Sequence, residues 1–252
     1  MNLKPITTAT AKGRRSYQED RLFTSTMDQG TLVGVFDGHG GDEVSYLVSE
    51  ELPEIFADEI SEEDVTPHSA LEKSIQKINL RTQSMGSGST LSLAFIPAKG
   101  DVVTCAVLGD SPIIIRDSEG KIVIGPEHNV RTNEAEAEAA KKRGGFVSGG
   151  YLFQSYSGDG LQMARALGDS NLDKVLSRVP DIFEVKINAS SFIIVASDGA
   201  FDPDHYEFAK AAEDVVKLVE GGAEAQAVVD RALAMPTEDN VSVIVVRFDE
   251  AQ

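Results

Sequence analysis

The sequence predicts an α+β protein in which antiparallel sheets carry helices on their outer faces. Two observations lead there. Strand-like and helix-like stretches come in groups and do not alternate, which argues against a doubly wound parallel sheet. Two runs, residues 32–36 and 192–196, are apolar nearly end to end, as in short strands buried inside a protein.

Each element can be justified in order. Residues 2–11 are polar but carry β-branched Ile6, Thr7, Thr8 and Thr10, and predict a first strand. The charged stretch 13–21 is a turn into a second strand at 22–26. Asp28-Gln29-Gly30 reads as a hairpin turn, and the third strand covers 31–36. That hairpin puts Glu19-Asp20 and Asp37 at one end. Val44, Leu47, Val48, Leu52, Ile55 and Phe56 recur at helical spacing, so a helix follows Gly41 and packs one face on a sheet. Thr66-Pro67 supplies an N-cap and a proline at the first helical position. The second helix carries Leu71, Ile75 and Ile78 and stops at the Gly/Ser stretch 86–89.

Strands are expected at 90–96, 102–108, 112–116 and 121–124. Asn133 and Glu136 stand in capping-box positions for a third helix over 133–143, closed by Gly144. Residues 144–160 turn to Gly, Ser, Tyr and Phe, the composition of a hairpin or irregular loop. Strands follow at 183–187 and 192–196. Asp202-Pro203 caps a fourth helix with Phe208, Ala212, Val215 and Val219 on one face. A fifth spans 225–235 and is stopped by Pro236, and the last strand covers 241–248. No repeat, low-complexity tract or domain boundary interrupts the 252 residues, so 1–252 is expected to be one domain.

Composition narrows the function. A formal net charge of −18 repels phosphate backbones and anionic lipid, so neither nucleic acid nor membrane is an expected partner. Most of that charge is solvated surface, unless several carboxylates converge on cations. Cys105 is the single cysteine and lies in an apolar run, where it reads as an inert core thiol. Residues 1–15 lack the apolar run of a secretory leader, and no stretch approaches the ~20 apolar residues that span a bilayer. The cytoplasm is therefore the expected location.

Five acidic sites share one context: Glu19-Asp20, Asp37, Asp110, Asp198 and Asp239 each stand at the start or end of a strand. Any one alone reads as a turn or cap residue. Together they would repel unless a cation held them. All-oxygen ligands suit magnesium, manganese or calcium, and the absence of a thiolate cluster or helical histidine pair argues against zinc. The densest stretch is Val35-Phe36-Asp37-Gly38-His39-Gly40-Gly41. Gly38 lets the backbone approach a ligand, and His39 can pass a proton near neutral pH.

In order, the chain carries Arg15 with Glu19-Asp20, then Asp37-Gly38-His39-Gly40-Gly41, Ser87-Gly88-Ser89-Thr90, Gly109-Asp110-Ser111, Ala164-Arg165-Ala166-Leu167-Gly168-Asp169, a stretch at 194–202 and another at 239–246. This ordered set resembles the metal-dependent protein serine/threonine phosphatases of the type 2C class. The resemblance implies a four-layer α-β-β-α sandwich with a metal site at one sheet edge. It implies two core ions, Mg²⁺ or Mn²⁺, with Asp37 bridging them and the Gly38 carbonyl on one. Glu19, Asp198 and Asp239 would hold the other, and Asp110 with Asp198 a weaker third. Asp20 and Asn240 would orient ligands or water from behind.

Such a pair of metals, ~3.5–4 Å apart, lowers the pKa of a bridging water, and the hydroxide attacks phosphorus directly. Arg15 would grip the substrate phosphate with its planar fork. His39 would protonate the departing serine or threonine oxygen; its alternative is a loop histidine paired with a carboxylate. His68, His128 and His205 receive no role. The implied partner is a phosphoserine or phosphothreonine protein, met by a bare catalytic domain acting as a monomer.

Two stretches depart from the family pattern. Glu127-His128-Asn129 stands where an Asp-His-Lys-like turn is common, and the flap-like segment 144–160 is not basic and carries Tyr151, Phe153 and Tyr156. The second departure bears on substrate choice. Other functions left open are a catalytically dead relative that binds partners, a calcium-binding structural protein, and a phosphatase of small-molecule esters.

Overall fold

A computed structural model describes residues 1–156, 158–201, 208–235 and 237–250. The chain opens with β1 (Asn2–Leu3) and β2 (Thr7–Ala11), so residues 2–11 hold two short strands where one was expected. The hairpin β3 (Arg21–Met27) and β4 (Gly30–Phe36) follows, then the two-residue β5 (Gly38–His39). Helices α1 (Glu43–Ser61) and α2 (Pro67–Thr82) come next; the Thr66 side chain caps α2 by accepting from the Ser69 amide at 3.2 Å. After β6 (Gly88–Ser89) come β7 (Leu91–Pro97), β8 (Val102–Leu108), β9 (Ile113–Arg116) and β10 (Ile122–Ile124). Helix α3 (Glu134–Lys142) is capped by Asn133, whose side chain accepts from the Glu136 amide.

The segment after α3 is the hairpin β11 (Phe146–Ser148) and β12 (Tyr151–Phe153). Then come β13 (Leu167–Gly168), β14 (Asp181–Lys186), β15 (Phe192–Ala196), α4 (Phe208–Glu220), α5 (Ala225–Ala234) and β16 (Val241–Asp249). The expected Asp202-Pro203 cap, His205 and the Pro236 stop lie outside the described residues.

Two antiparallel sheets dominate. One runs β1-β16-β15-β9-β10 with β2 also on β16, and the other runs β14-β8-β7-β4-β3. Strand periodicity sends alternate residues to different cores. Val33 and Val35 of β4 meet Ile193 and Val195 of β15 between the sheets. Leu32 and Phe36, one residue out of phase, face α1 and α2. Ile194 and Val243 face α4 and α5 on the opposite outer face. The order is therefore helix, sheet, sheet, helix, and it explains why the buried strands are apolar at every position. A small third sheet, β13-β6-β5, lies beside this sandwich and was not foreseen.

Because the inter-sheet core is apolar and Ile193 is fully buried in it, Ile193→Ala should destabilise by about 2–5 kcal/mol. Leu80 on α2 is 67% exposed, and Leu80→Ala should stay within about 0.5 kcal/mol. Urea unfolding of the two variants checks the assignment of faces; equal losses would contradict it.

Candidate active site

Strand ends meet at one edge of the sandwich. Arg21 pairs with Phe36 at the end of the β3–β4 hairpin, which sets Asp20 beside Asp37. Ala196 pairs with Val243, and the β15–β16 ladder continues through Ser197 N to Ser242 O and Ser242 N to Ser197 Oγ, both 2.9 Å. Asp198 and Asp239 leave the sheet at that point. Asp110 sits in the turn from β8 to β9. Thr90 joins the two parts: its Oγ1 accepts from the Asp37 amide at 3.0 Å and bonds Ser111 Oγ at 2.7 Å.

The result is a cleft of about 360 Å³ whose walls include Arg15, Glu19, Asp37, Gly38, His39, Asp110, Asp198 and Asp239. Asp20 and Asn240 lie behind it, both buried. Thus the residues nominated from sequence are brought together, eight on the wall and two beneath.

The floor is an acidic hydrogen-bond network. The Asp37 carboxyl bonds the carboxyl groups of both Asp20 and Asp198, and Ser197 Oγ donates to Asp20 at 2.8 Å. Two carboxylates cannot share a hydrogen bond without a proton between them. Burial, followed by the charges of Asp20, Asp198, Asp239 and Asp110, holds Asp37 well above the usual carboxylate range. Asp198 is raised well above it too, first by burial and then by Asp110 and Asp239. Burial likewise lifts Asp20, to about 6. All three shifts express the cost of placing anions together away from water.

Close backbone packing supports the floor. A side chain at Gly38 would stand 2.5 Å from the Glu19 carbonyl and 2.7 Å from Ser45 Oγ, so only glycine fits. The Asn240 side chain accepts from the Glu19 amide at 2.8 Å and donates to the Lys12 and Tyr17 carbonyls at 2.8 and 2.9 Å. It thereby pins the loop that carries Arg15 and Glu19. Glu19 Oε1 accepts from the Gly41 amide at 2.7 Å. Arg15 does not stand clear: its guanidinium donates to Asp239 Oδ2 at 2.7 Å. His39 Nε2 lies 2.8 Å from Asp169 Oδ2, a pairing that does not decide between the acid role and that of a loop histidine.

Sequence reasoning missed several supports. Asn129 Nδ2 donates to Asp110 Oδ2 at 2.8 Å. His128, given no role, is buried; its Nδ1 accepts from the Gly109 amide at 3.0 Å and its Nε2 lies 3.1 Å from Asp181. Accepting at Nδ1 requires a neutral ring, and burial lowers the His128 pKa in agreement. The Glu127-His128-Asn129 departure therefore braces the Gly109-Asp110 turn. The only signal was its proximity to a family motif. Cys105 is fully buried, and burial pushes its thiol up.

Among the described residues, no three acidic or imidazole groups stand as a finished ligand shell. The carboxylates are instead engaged with one another and with Arg15, Asn129 and Gly41. The donor chemistry nevertheless fits hard divalent cations, because it is all oxygen and anionic. Such cations would neutralise the charges that raise these carboxyl groups.

Comparison with known proteins bears on the family and the fold. The family model described as protein phosphatase 2C matches residues 8–241. A probable protein phosphatase 2C 71 of Arabidopsis thaliana is 33% identical over 97% of this chain, which spans only 55% of that relative's length. A C. elegans sex determining protein of known structure superimposes with a TM-score of 0.80 at 26% identity, over 96% of this chain and 64% of its own. The catalytic domain of the serine threonine protein phosphatase PstP, solved in complex with two manganese ions, gives a TM-score of 0.65 at 18% identity, over 98% of this chain and 99% of that one. No described helix is long and apolar enough to cross a membrane.

The raised Asp20 pKa has a measurable consequence. Between the unfolded carboxyl value of 3.8 and about 6, the native state holds a proton that the unfolded chain has lost. Stability contributed by that proton must fall as pH rises through this window. Urea unfolding of metal-free protein should show Asp20→Asn gaining stability relative to wild type as pH goes from 4 to 6.5. A difference that stays flat or reverses would contradict a buried, protonated Asp20.

Proposed function

Because the chain belongs to the protein phosphatase 2C family, we propose that it hydrolyses phosphoserine and phosphothreonine esters of proteins in a metal-dependent reaction. One observation carries the reading. Acidic residues from five separate parts of the chain line a single cleft, and their carboxyl network needs protons or cations to exist.

In this reading Asp37, the Gly38 carbonyl, Glu19, Asp198 and Asp239 would hold two divalent cations, magnesium or manganese, and Asp110 with Asp198 would hold a weaker third. When bound, such ions neutralise the carboxylates and supply Lewis acidity and an activated water for attack on phosphorus. The remaining work falls to the chain itself. A phosphate dianion would be repelled by the bare acidic floor, so Arg15 has to help draw it in. Its present partner is Asp239, in a pair with side-chain exposures of 51% and 27%. Pairs that open to water contribute at most about 1 kcal/mol, so exchanging Asp239 for phosphate oxygens costs little. His39 gives a proton to the departing alkoxide, a very basic leaving group that does not depart easily without one. Asp20 and Asn240 steady the loop and floor from behind. No observation favours the partner-binding or small-ester alternatives.

The test is turnover of a phosphopeptide panel with Mn²⁺, Mg²⁺ or chelator. Activity should require added metal and vanish with chelator. Asp37→Asn and Asp239→Asn should each lose more than the roughly 10–100-fold typical of losing a ligand's hydrogen-bond partner. Both should keep their fold, because each removes one charge from a repelling cluster. Full turnover by metal-free protein, or wild-type turnover in both variants, would overturn the reading.

A further inference from the structure

The small sheet β13-β6-β5 gives the core under α1 and α2 only Leu167, yet it builds one specific contact. In it Gly88 pairs with His39 on one side and with Gly168 on the other. The strand end at Gly168 delivers Asp169, and β5 delivers His39. The two side chains meet directly over Gly88, with Nε2 and Oδ2 2.8 Å apart. Any side chain on Gly88 would overlap both Asp169 Oδ2 and His39 Nε2. Asp169 also takes a left-handed backbone at φ 50°, unusual for a residue other than glycine. Hydrogen bonds from its own amide to Ser87 O (2.9 Å) and from the Ser170 amide to Met85 O (3.0 Å) hold it there. A carboxylate 7% exposed is thus fixed against an imidazole on the wall of the cleft.

The ring has little choice of partner. His39 Nδ1 is shut away from solvent and bonds nothing among the described residues. The nitrogen held by Asp169 is therefore the one left to hand over a proton. We propose that Asp169 is a positioning residue for proton donation by His39, accepting a hydrogen bond from Nε2–H and holding the ring at the cleft. The inference rests on the phosphatase reading above. In the step it serves, the ring starts as an imidazolium with hydrogen on both nitrogens. The Nε2–H bond breaks as the proton passes to the departing alkoxide oxygen, its electron pair stays on Nε2, and a neutral ring with hydrogen on Nδ1 remains. A water oxygen bonds phosphorus and gives up its proton to solvent as the ester oxygen–phosphorus bond breaks, with the electron pair of that bond going to the departing oxygen. Asp169 is unchanged throughout and never touches the substrate.

Asp169→Asn keeps a residue that tolerates the left-handed backbone and can still accept through its amide oxygen, but it removes the charge. Single-turnover rates with Mn²⁺ should fall about 10–100-fold on a phosphoserine peptide, the usual cost of losing an orienting partner. The loss on p-nitrophenyl phosphate, whose leaving group needs no proton, should be much smaller, and KM should hardly move on either substrate. In a His39→Ala background the same substitution should add nothing. Gly88→Ala, which wedges the pair apart, should reproduce the substrate dependence. Imidazole ¹⁵N spectra of the metal-free protein should show the His39 signals shifting in both variants while those of His128 stay in place.

Equal losses on both substrates, or an undiminished loss in the His39→Ala background, would overturn the proposal. So would unchanged His39 signals in both variants. If wild-type protein with metal turned over neither substrate, the phosphatase reading would fail, and the imidazole spectra alone would then decide whether Asp169 holds the ring.

Discussion

The structure depends on a mutual repulsion that the fold refuses to relieve. Asp20, Asp37 and Asp198 are held in hydrogen-bond contact at one edge of a sandwich, with Asp110 and Asp239 near enough to raise their pKa values. Nothing in the cores requires this. Apolar burial drives the two sheets together, and three carboxyl groups arrive at the seam because each stands where a strand begins or ends. Left to itself the cluster keeps protons. The protein tolerates that cost because β4 and β15, which lead into Asp37 and Asp198, are buried on both faces and cannot splay.

The supports around the cluster follow from the same constraint. Carboxylates that repel one another need their backbones fixed, and fixed backbones need polar partners. Asn240 donates two hydrogen bonds to one loop and accepts one from it, Thr90 links Asp37 to Ser111, and the Asn129 and His128 side chains brace the Asp110 turn. Most of the remaining negative charge, part of a net −18, stays on the surface. A substrate with a doubly charged phosphate must enter against that field, which is why the cleft needs cations and Arg15 together.

Much of this was legible in the chain itself. The turn at Asp28-Gln29-Gly30 set the hairpin register, and that register alone predicted Asp20 beside Asp37. Thr66-Pro67 and the Asn133/Glu136 pair marked helix starts because capping is local chemistry. What stayed hidden depends on contacts far apart in sequence. His39 and Asp169 are 130 residues apart, and no local pattern announces that a two-residue strand will pair them. His128 looked like a loop residue because burial by a distant strand leaves no periodicity. The split of residues 2–11 into two strands was missed because one polar, β-branched run fits either arrangement.

The central claim is that divalent cations replace protons in the carboxyl network. Calorimetric titration of metal-free protein with Mn²⁺, in buffers of different ionisation enthalpy near pH 6, measures that exchange directly. The account predicts net proton release on binding, release that shrinks as pH rises, and less release in Asp37→Asn. Binding with no proton release, unchanged by pH and by that substitution, would contradict it.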